Sequence, residues 1–147
     1  MGQYWQEQAF KLLAYGTVRG GLLSKRYLGQ PAPSGAALNT ASLHKYKQMI
    51  DAWGGWELFQ NLLATLGDVA GKYGVSIANI AVRYMLERPA VAGVIIGAKL
   101  GVTDHQADNA RVFDFALGQE DNEQIETILS QSRNLYQMIG DCGSEYR

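Results

Sequence analysis

Cysteine is nearly absent: Cys142 is the only one in the chain, and a lone thiol can build neither a disulfide framework nor a cysteine-rich zinc site. It lies in a polar tail, far along the sequence from His44 and His105, where no electropositive neighbourhood would activate it. A reducing, cytoplasmic setting is the expectation. Proline is scarce as well, 3 residues against 17 glycines, which favours tight turns and close backbone approach over stiff linkers. An excess of one charge is also lacking. With 13 Lys and Arg against 14 Asp and Glu, the net charge is -1, so there is no basic field to hold nucleic acid or an anionic membrane. The apolar stretch at 91–98 falls far short of the ~20 residues a membrane-spanning helix needs. The opening MGQYWQEQAFKLLAYG places Gln and Glu where a signal peptide requires a charged start and an unbroken apolar run. A soluble protein is expected. At 147 residues, 47% hydrophobic and 18% charged, the chain suits one domain with a real core and is too short for two comfortable ones.

What is present reads as alternating strand and helix. Residues 11–16, KLLAYG, and 91–98, VAGVIIGA, are short apolar runs without alternation, each stopped by a glycine-containing turn. Such runs suit strands of a parallel sheet covered on both faces. Between them Thr40 can cap a helix through ASLHKYKQMIDAW that ends at Gly54-Gly55. The next stretch carries Leu58, Leu62, Leu66, Val69 and Tyr73 as one apolar stripe closed by Gly74. Ser76 can cap SIANIAVRYMLER, whose Ile77, Ile80, Ala81, Tyr84 and Met85 share a face, with Pro89 as the stop. Thr103 can cap TDHQADNARVF. A last helix over QEDNEQIETILSQS has acidic residues in its first turn, where the helix dipole favours them. Strands separated by helices imply right-handed parallel crossovers and an α/β architecture. Two strands alone, however, make a poor sheet with both edges open, so the pattern asks for partner strands.

The segments LLAYGTVRGGLLSKRYLG, KYGVSIANIAVRYMLERPAVAGVIIGAKLG and HQADNARVFDFAL, in that order, resemble the aldo/keto reductase family. In that family the first carries the seventh barrel strand and its loop, and the V-I-x-G-A run with its following D-N pair carries the eighth. The resemblance implies a (β/α)8 barrel, typically of ~250 residues with its working face at the C-terminal ends of the strands. Residues 11–147 then correspond to the last two strand–helix units with the C-terminal helices. Residues 1–10 are a residual helical or unrelated start. The implied activity is hydride exchange between NADP(H) and a carbonyl, alcohol or sugar lactol, with NAD not excluded.

By the same resemblance Tyr15 stacks on the nicotinamide, fixing which face presents the hydride. The backbone of Gly16, Thr17, Val18 and Gly20 approaches the pyrophosphate, and Ser24 adds a hydroxyl. Gly97 and Ala98 end the second strand. Lys99 supplies a cation for the adenosine 2′-phosphate, His105 stands where many members are basic, and Asp108 with Asn109 hydrogen-bonds the adenine. Plainer readings stay open: Tyr15 as a packed barrel wall, Lys99 as a solvated turn residue, His105 as a solvated helix residue, Asp108-Asn109 as a local cap. Trp5, Trp53 and Trp56 read as packing or loop residues, although Trp53 or Trp56 could line a substrate mouth.

The family's chemistry also needs a tyrosine acid, a lysine, an aspartate and usually a histidine from the second to fourth strands. Those segments have no counterpart in this sequence, so no catalytic residue is assigned, and carbonyl reduction by this chain unaided is not expected. Two expectations follow. The chain is the cofactor-gripping part of a reductase whose active form includes further residues, or it is a non-catalytic module that binds nucleotide or completes a barrel. A missing N-terminal half-barrel, or self-association, is the implied partner.

Overall fold

The computed structural model describes residues 11–97 and 105–140. Strand β1, Leu12–Tyr15, leads through turns into helix α1, Ala41–Trp53, then α2, Gly55–Tyr73, and α3, Ile77–Leu86. Strand β2, Val91–Ile95, follows, and then α4, Gln106–Ala110, α5, Gln119–Leu129, and α6, Leu135–Ile139. The two strands pair in parallel, with Leu13 opposite Gly93 and Tyr15 opposite Ile95. The architecture is therefore α/β, and the two apolar runs are neighbours in one sheet. Both strands are shorter than the runs suggest. Gly16 adopts a φ of +69 and turns the chain out of β1, and β2 stops at Ile95.

Local chemistry explains the helix ends. Thr40 Oγ1 accepts from the Leu43 N–H at 3.1 Å, and Ser76 Oγ accepts from the Asn79 N–H at 3.2 Å, each satisfying an amide that the first turn leaves unpaired. Helix α2 ends on Gly74 in the left-handed conformation, φ 64, as a glycine C-cap should. Helix α4 begins at Gln106, and His105 gives it no side-chain cap; Thr103 lies outside the described residues. Helix α6, capped by Asn134 on the Gln137 N–H, has no counterpart in the sequence reading.

The core lies among the helices. Leu22 and Leu23 from the loop after β1, Ile50 of α1, Phe59, Leu63, Leu66, Val69 and Ala70 of α2, Ile77, Ile80 and Ala81 of α3, and Ile125 of α5 form one buried cluster. The stripe expected on α2 is therefore rotated. Leu66 and Val69 are buried as anticipated, but Phe59 and Leu63 take the inner positions, while Leu62 and Tyr73 are only partly buried at the margin. The apolar arc of α2 is wide enough for two registers, and contacts with α1, α3 and α5 select between them. On α3, Asn79 and Val82 are buried besides the expected Ile77, Ile80 and Ala81, because the helix is packed against α2, β2 and the turn at Arg111–Phe113. Trp53 and Trp56 pack against this core, and Trp56 Nε1 donates to the Gln30 carbonyl at 2.8 Å. The packing reading of both is the one that fits; Trp5 lies outside the described residues.

The sheet is less covered than its sequence suggests. Leu13 is 65% exposed, Tyr15 66% and Ile95 55%. Helix α3 packs against β2, and nothing among the described residues covers the opposite face. Among the described residues no helix is long and apolar enough to cross a membrane.

One polar cluster fastens α5 to α2. The Asp121 carboxylate, 3% exposed, accepts from Tyr73 Oη at 2.5 Å, from Lys72 Nζ at 2.9 Å and from the Gly118 N–H at 2.8 Å. Burial alone pushes its pKa up, but the bonds from Tyr73, Lys72 and Gly118 and the lysine charge outweigh this and hold it below the ordinary carboxylate value. Lys72 is shifted up, first by its hydrogen bond to Asp121. A carboxyl with a lowered folded pKa stabilises the fold fully above its unfolded value, about 3.9, and loses that contribution as pH falls through the folded value. Thermal melts are expected to drop steeply below about pH 4. In Asp121→Asn the melting temperature is expected to start lower at pH 7 and to fall less on acidification. A variant whose acid slope matched the native one would contradict this.

Candidate functional site

The loop leaving β1 is shaped by its glycines. Gly16, Gly20 and Gly21 have φ of 69, 62 and 91, and Arg19 also lies at positive φ, 51. Tyr46 of α1 lies across this loop. A Cβ on Gly16 would come within 2.5 Å of Tyr46 Oη, and one on Gly20 within 3.0 Å of Tyr46 Cδ2. Conformation and space both demand glycine at these two positions. The N–H groups of Arg19, Gly21, Leu22 and Leu23 donate to carbonyls of the same turn. Val18 and Gly20 lie within the same tight turn, where glycine lets the backbone come close to whatever occupies the space beside it. Ser24 Oγ donates to the Gly21 carbonyl at 2.8 Å, so its oxygen retains acceptor capacity.

This loop forms one end of a groove of about 1110 Å³. Tyr15, Gly16, Val18, Gly20 and Ser24 line it from the first strand and its loop; Ile95, Ile96 and Gly97 line it from the second; His105, Asp108 and Asn109 line its far end. Its floor is the helix pair α2–α3, where Ala64, Gly67 and Gly71 present little side chain. A Cβ on Gly21 or Gly97 would meet nothing within 4 Å, so open space borders the backbone at both ends. The structure thus gathers most of the residues singled out from the sequence. The Thr17 side chain is not among them: it lines a smaller apolar cavity of about 290 Å³ beneath the loop, with its buried Oγ1 unpartnered among the described residues. Ala98 and Lys99 lie outside the described residues.

The acidic end of the groove has a structural duty. Asp108 accepts from Ser76 Oγ at 3.0 Å and from Asn79 Nδ2 at 3.3 Å, which ties α4 to the first turn of α3. Asn79 is buried, and this bond satisfies part of its amide. These contacts are tertiary, 32 and 29 positions away in sequence, so Asp108 braces two helices and is not the local cap considered from the sequence, while Asn109 stays on the groove wall. Two charged lining residues escaped the sequence reading, Lys25 and Asp68. Lys25 directly follows Ser24 and was legible as an extension of the loop. Asp68 sits on the apolar helix α2 and gave no signal.

The groove is open at the C-terminal ends of two parallel strands, with glycine loops on one side and a short helix on the other. The sequence model of the Aldo/keto reductase family matches residues 1–130. The chain belongs to the aldo/keto reductase family. Among curated proteins the chain is similar to "Flagellar radial spoke protein 5" of Chlamydomonas reinhardtii, 38% identical over 80 residues. The alignment covers 52% of this chain and 15% of that relative.

Proposed function

We propose that the chain forms the cofactor-gripping part of an NADP(H)-dependent aldo/keto reductase, arranged as the last two units of a (β/α)8 barrel. The observation that supports this best is the single groove running from Tyr15 past the β1 loop to His105 and Asn109. Its features match an extended dinucleotide. The exposed ring of Tyr15 offers a stacking platform at one end. The backbone of Val18 and Gly20 and the hydroxyl of Ser24 suit a pyrophosphate, with Lys25 adding charge beside them; Thr17, named with them from the sequence, lines the cavity beneath the loop instead. Gly97, Ala98, Lys99, His105, Asp108 and Asn109 take the adenosine end, with Lys99 on the 2′-phosphate. The cofactor, when bound, supplies the hydride. This chain's share is to orient the nicotinamide ring and hold the phosphates, and no proton donor for the carbonyl is assigned within it.

A second reading rests on the uncovered sheet face at Leu13, Tyr15 and Ile95. Such a face can be completed by strands from another segment or by a second copy, giving a barrel-completing module without catalysis. The radial spoke relative is compatible with an assembly role of this kind.

Titrating NADPH into the chain while recording amide spectra separates the two. The reductase reading predicts weak but saturable shifts confined to residues 15–24 and 105–109, lost in Tyr15→Ala, with no carbonyl turnover by the chain alone. No shift in either region at millimolar NADPH would leave the interaction module standing.

A further inference from the structure

The corner between α2 and α3, from Lys72 to Asn79, holds the segment that forms the far end of the groove. Three ties run in order along it. Asp108 of α4 accepts from Ser76 Oγ and Asn79 Nδ2, the Arg111 guanidinium donates to the Gly74 carbonyl, and Asp121 of α5 accepts from Tyr73 and Lys72. The Asp108 tie lies beside Asn109 on the groove wall.

Helix α4 spans five residues, Gln106–Ala110, too few to keep its shape without help. Its orientation is therefore set by what its side chains grip. Arg111 fixes the end beyond it, and Asp108 fixes its rotation, with one carboxylate oxygen on each partner. Ser76 Oγ also accepts from the Asn79 N–H, so the first turn of α3 locks the two donors together. Adjacent helical residues point about 100° apart, so directing Asp108 onto α3 directs Asn109 elsewhere. Swinging Asp108 toward a base would strip a partner from the Asn79 amide. That side chain is 2% exposed, and an interior amide left unpaired is costly.

We propose that Asp108 is a positioning residue that makes no bond to the base: held by Ser76 and Asn79, it sets Asn109 on the groove wall, and Asn109 reads the adenine edge. The pair expected to share the adenine thereby divides its work. Placing a base at this end rests on the cofactor reading; the brace does not. A carboxamide carries a donor and an acceptor side by side and matches adenine N7 and the 6-amino group together. A carboxylate carries acceptors only. Asn79 stands behind the lining, which this turn supplies through Ser76, Ile77 and Ala78, so a change there reaches the base through Asp108.

The test compares Asp108→Ala with Asn79→Leu, which keeps the side chain's size and removes the amide. NADPH and its hypoxanthine counterpart, in which a carbonyl replaces the 6-amino group, are titrated into the full chain and followed by amide spectra. The native chain should prefer NADPH about tenfold. Both variants should weaken NADPH and reduce that preference, with the double variant no worse than Asp108→Ala alone. Asn109→Ala should lose the preference altogether. Hydrogen exchange at the Asn109 N–H, which bonds the His105 carbonyl at 2.8 Å, reads the brace without ligand and should quicken about tenfold in both variants. Thermal melts establish that each variant is folded, and Ser76→Ala takes the place of Asn79→Leu if the latter is not. Preference lost in Asp108→Ala but intact in Asn79→Leu, or exchange unchanged in Asp108→Ala, would overturn the proposal. Faster exchange in the variants with no NADPH shifts in the native chain would remove the cofactor reading and leave Asp108 as the brace of the groove wall. NADPH shifts with unchanged exchange would do the reverse.

Discussion

Leu63→Ala is expected to lower stability by about 3 kcal/mol, whereas Leu58→Ala should lower it by about 1 kcal/mol. The two leucines lie on the same helix and have the same side chain, so intrinsic helix propensity cancels between them. The difference is burial. Leu63 is 0% exposed, inside the cluster formed by α1, α2, α3 and α5, and its removal leaves a cavity that the fixed helices around it cannot close. Leu58 is only partly buried, beside Gly54 at the start of the helix. Urea unfolding monitored by circular dichroism checks this through the shift in midpoint at unchanged slope. Equal losses, or a larger one for Leu58, would mean that α2 faces the core in the register the sequence first suggested.

Gly16→Ala is expected to destabilise by about 2 to 3 kcal/mol, from two separable causes. The backbone at φ +69 is costly for any residue with a Cβ, and the added carbon would stand 2.5 Å from Tyr46 Oη. Combining it with Tyr46→Phe removes the oxygen but not the conformational strain. About half of the loss should therefore return in the double variant. A double variant no more stable than the sum of the singles would mean that Tyr46 does not lie over this loop. Because the same loop borders the groove, Gly16→Ala should also weaken binding there.

How much of this was legible beforehand differs by feature. Helix caps were readable because they depend on local chemistry: Thr40, Ser76 and Gly74 act through their own side chains or conformation. The gathering of Tyr15, Gly20, Gly97, His105 and Asn109 about one groove was readable through the order of the motifs. The register of α2 was not, because Phe59-x-x-x-Leu63 and Leu58-x-x-x-Leu62 satisfy the same periodicity, and only neighbouring helices break the tie. The double coverage expected of the strands also failed among the described residues, since an unalternated run states a preference for burial and not its supply. Tyr46 was illegible for a different reason. Its importance comes from contact across the loop, which a linear pattern does not record.

The parallel pair joins parts of the chain that are far apart, as Lys11 Nζ bonding the Pro89 carbonyl across 78 positions illustrates. The strand residues that this closure brings together stay largely exposed, whereas α2, α3 and α5 share one buried core. The helical layer should consequently assemble first and β1 dock onto it last. Tyr15 and the ligand-facing loop then belong to the least persistent region of the molecule. A cofactor arriving there would act as a clasp, closing the final seam of the fold at the moment it is held.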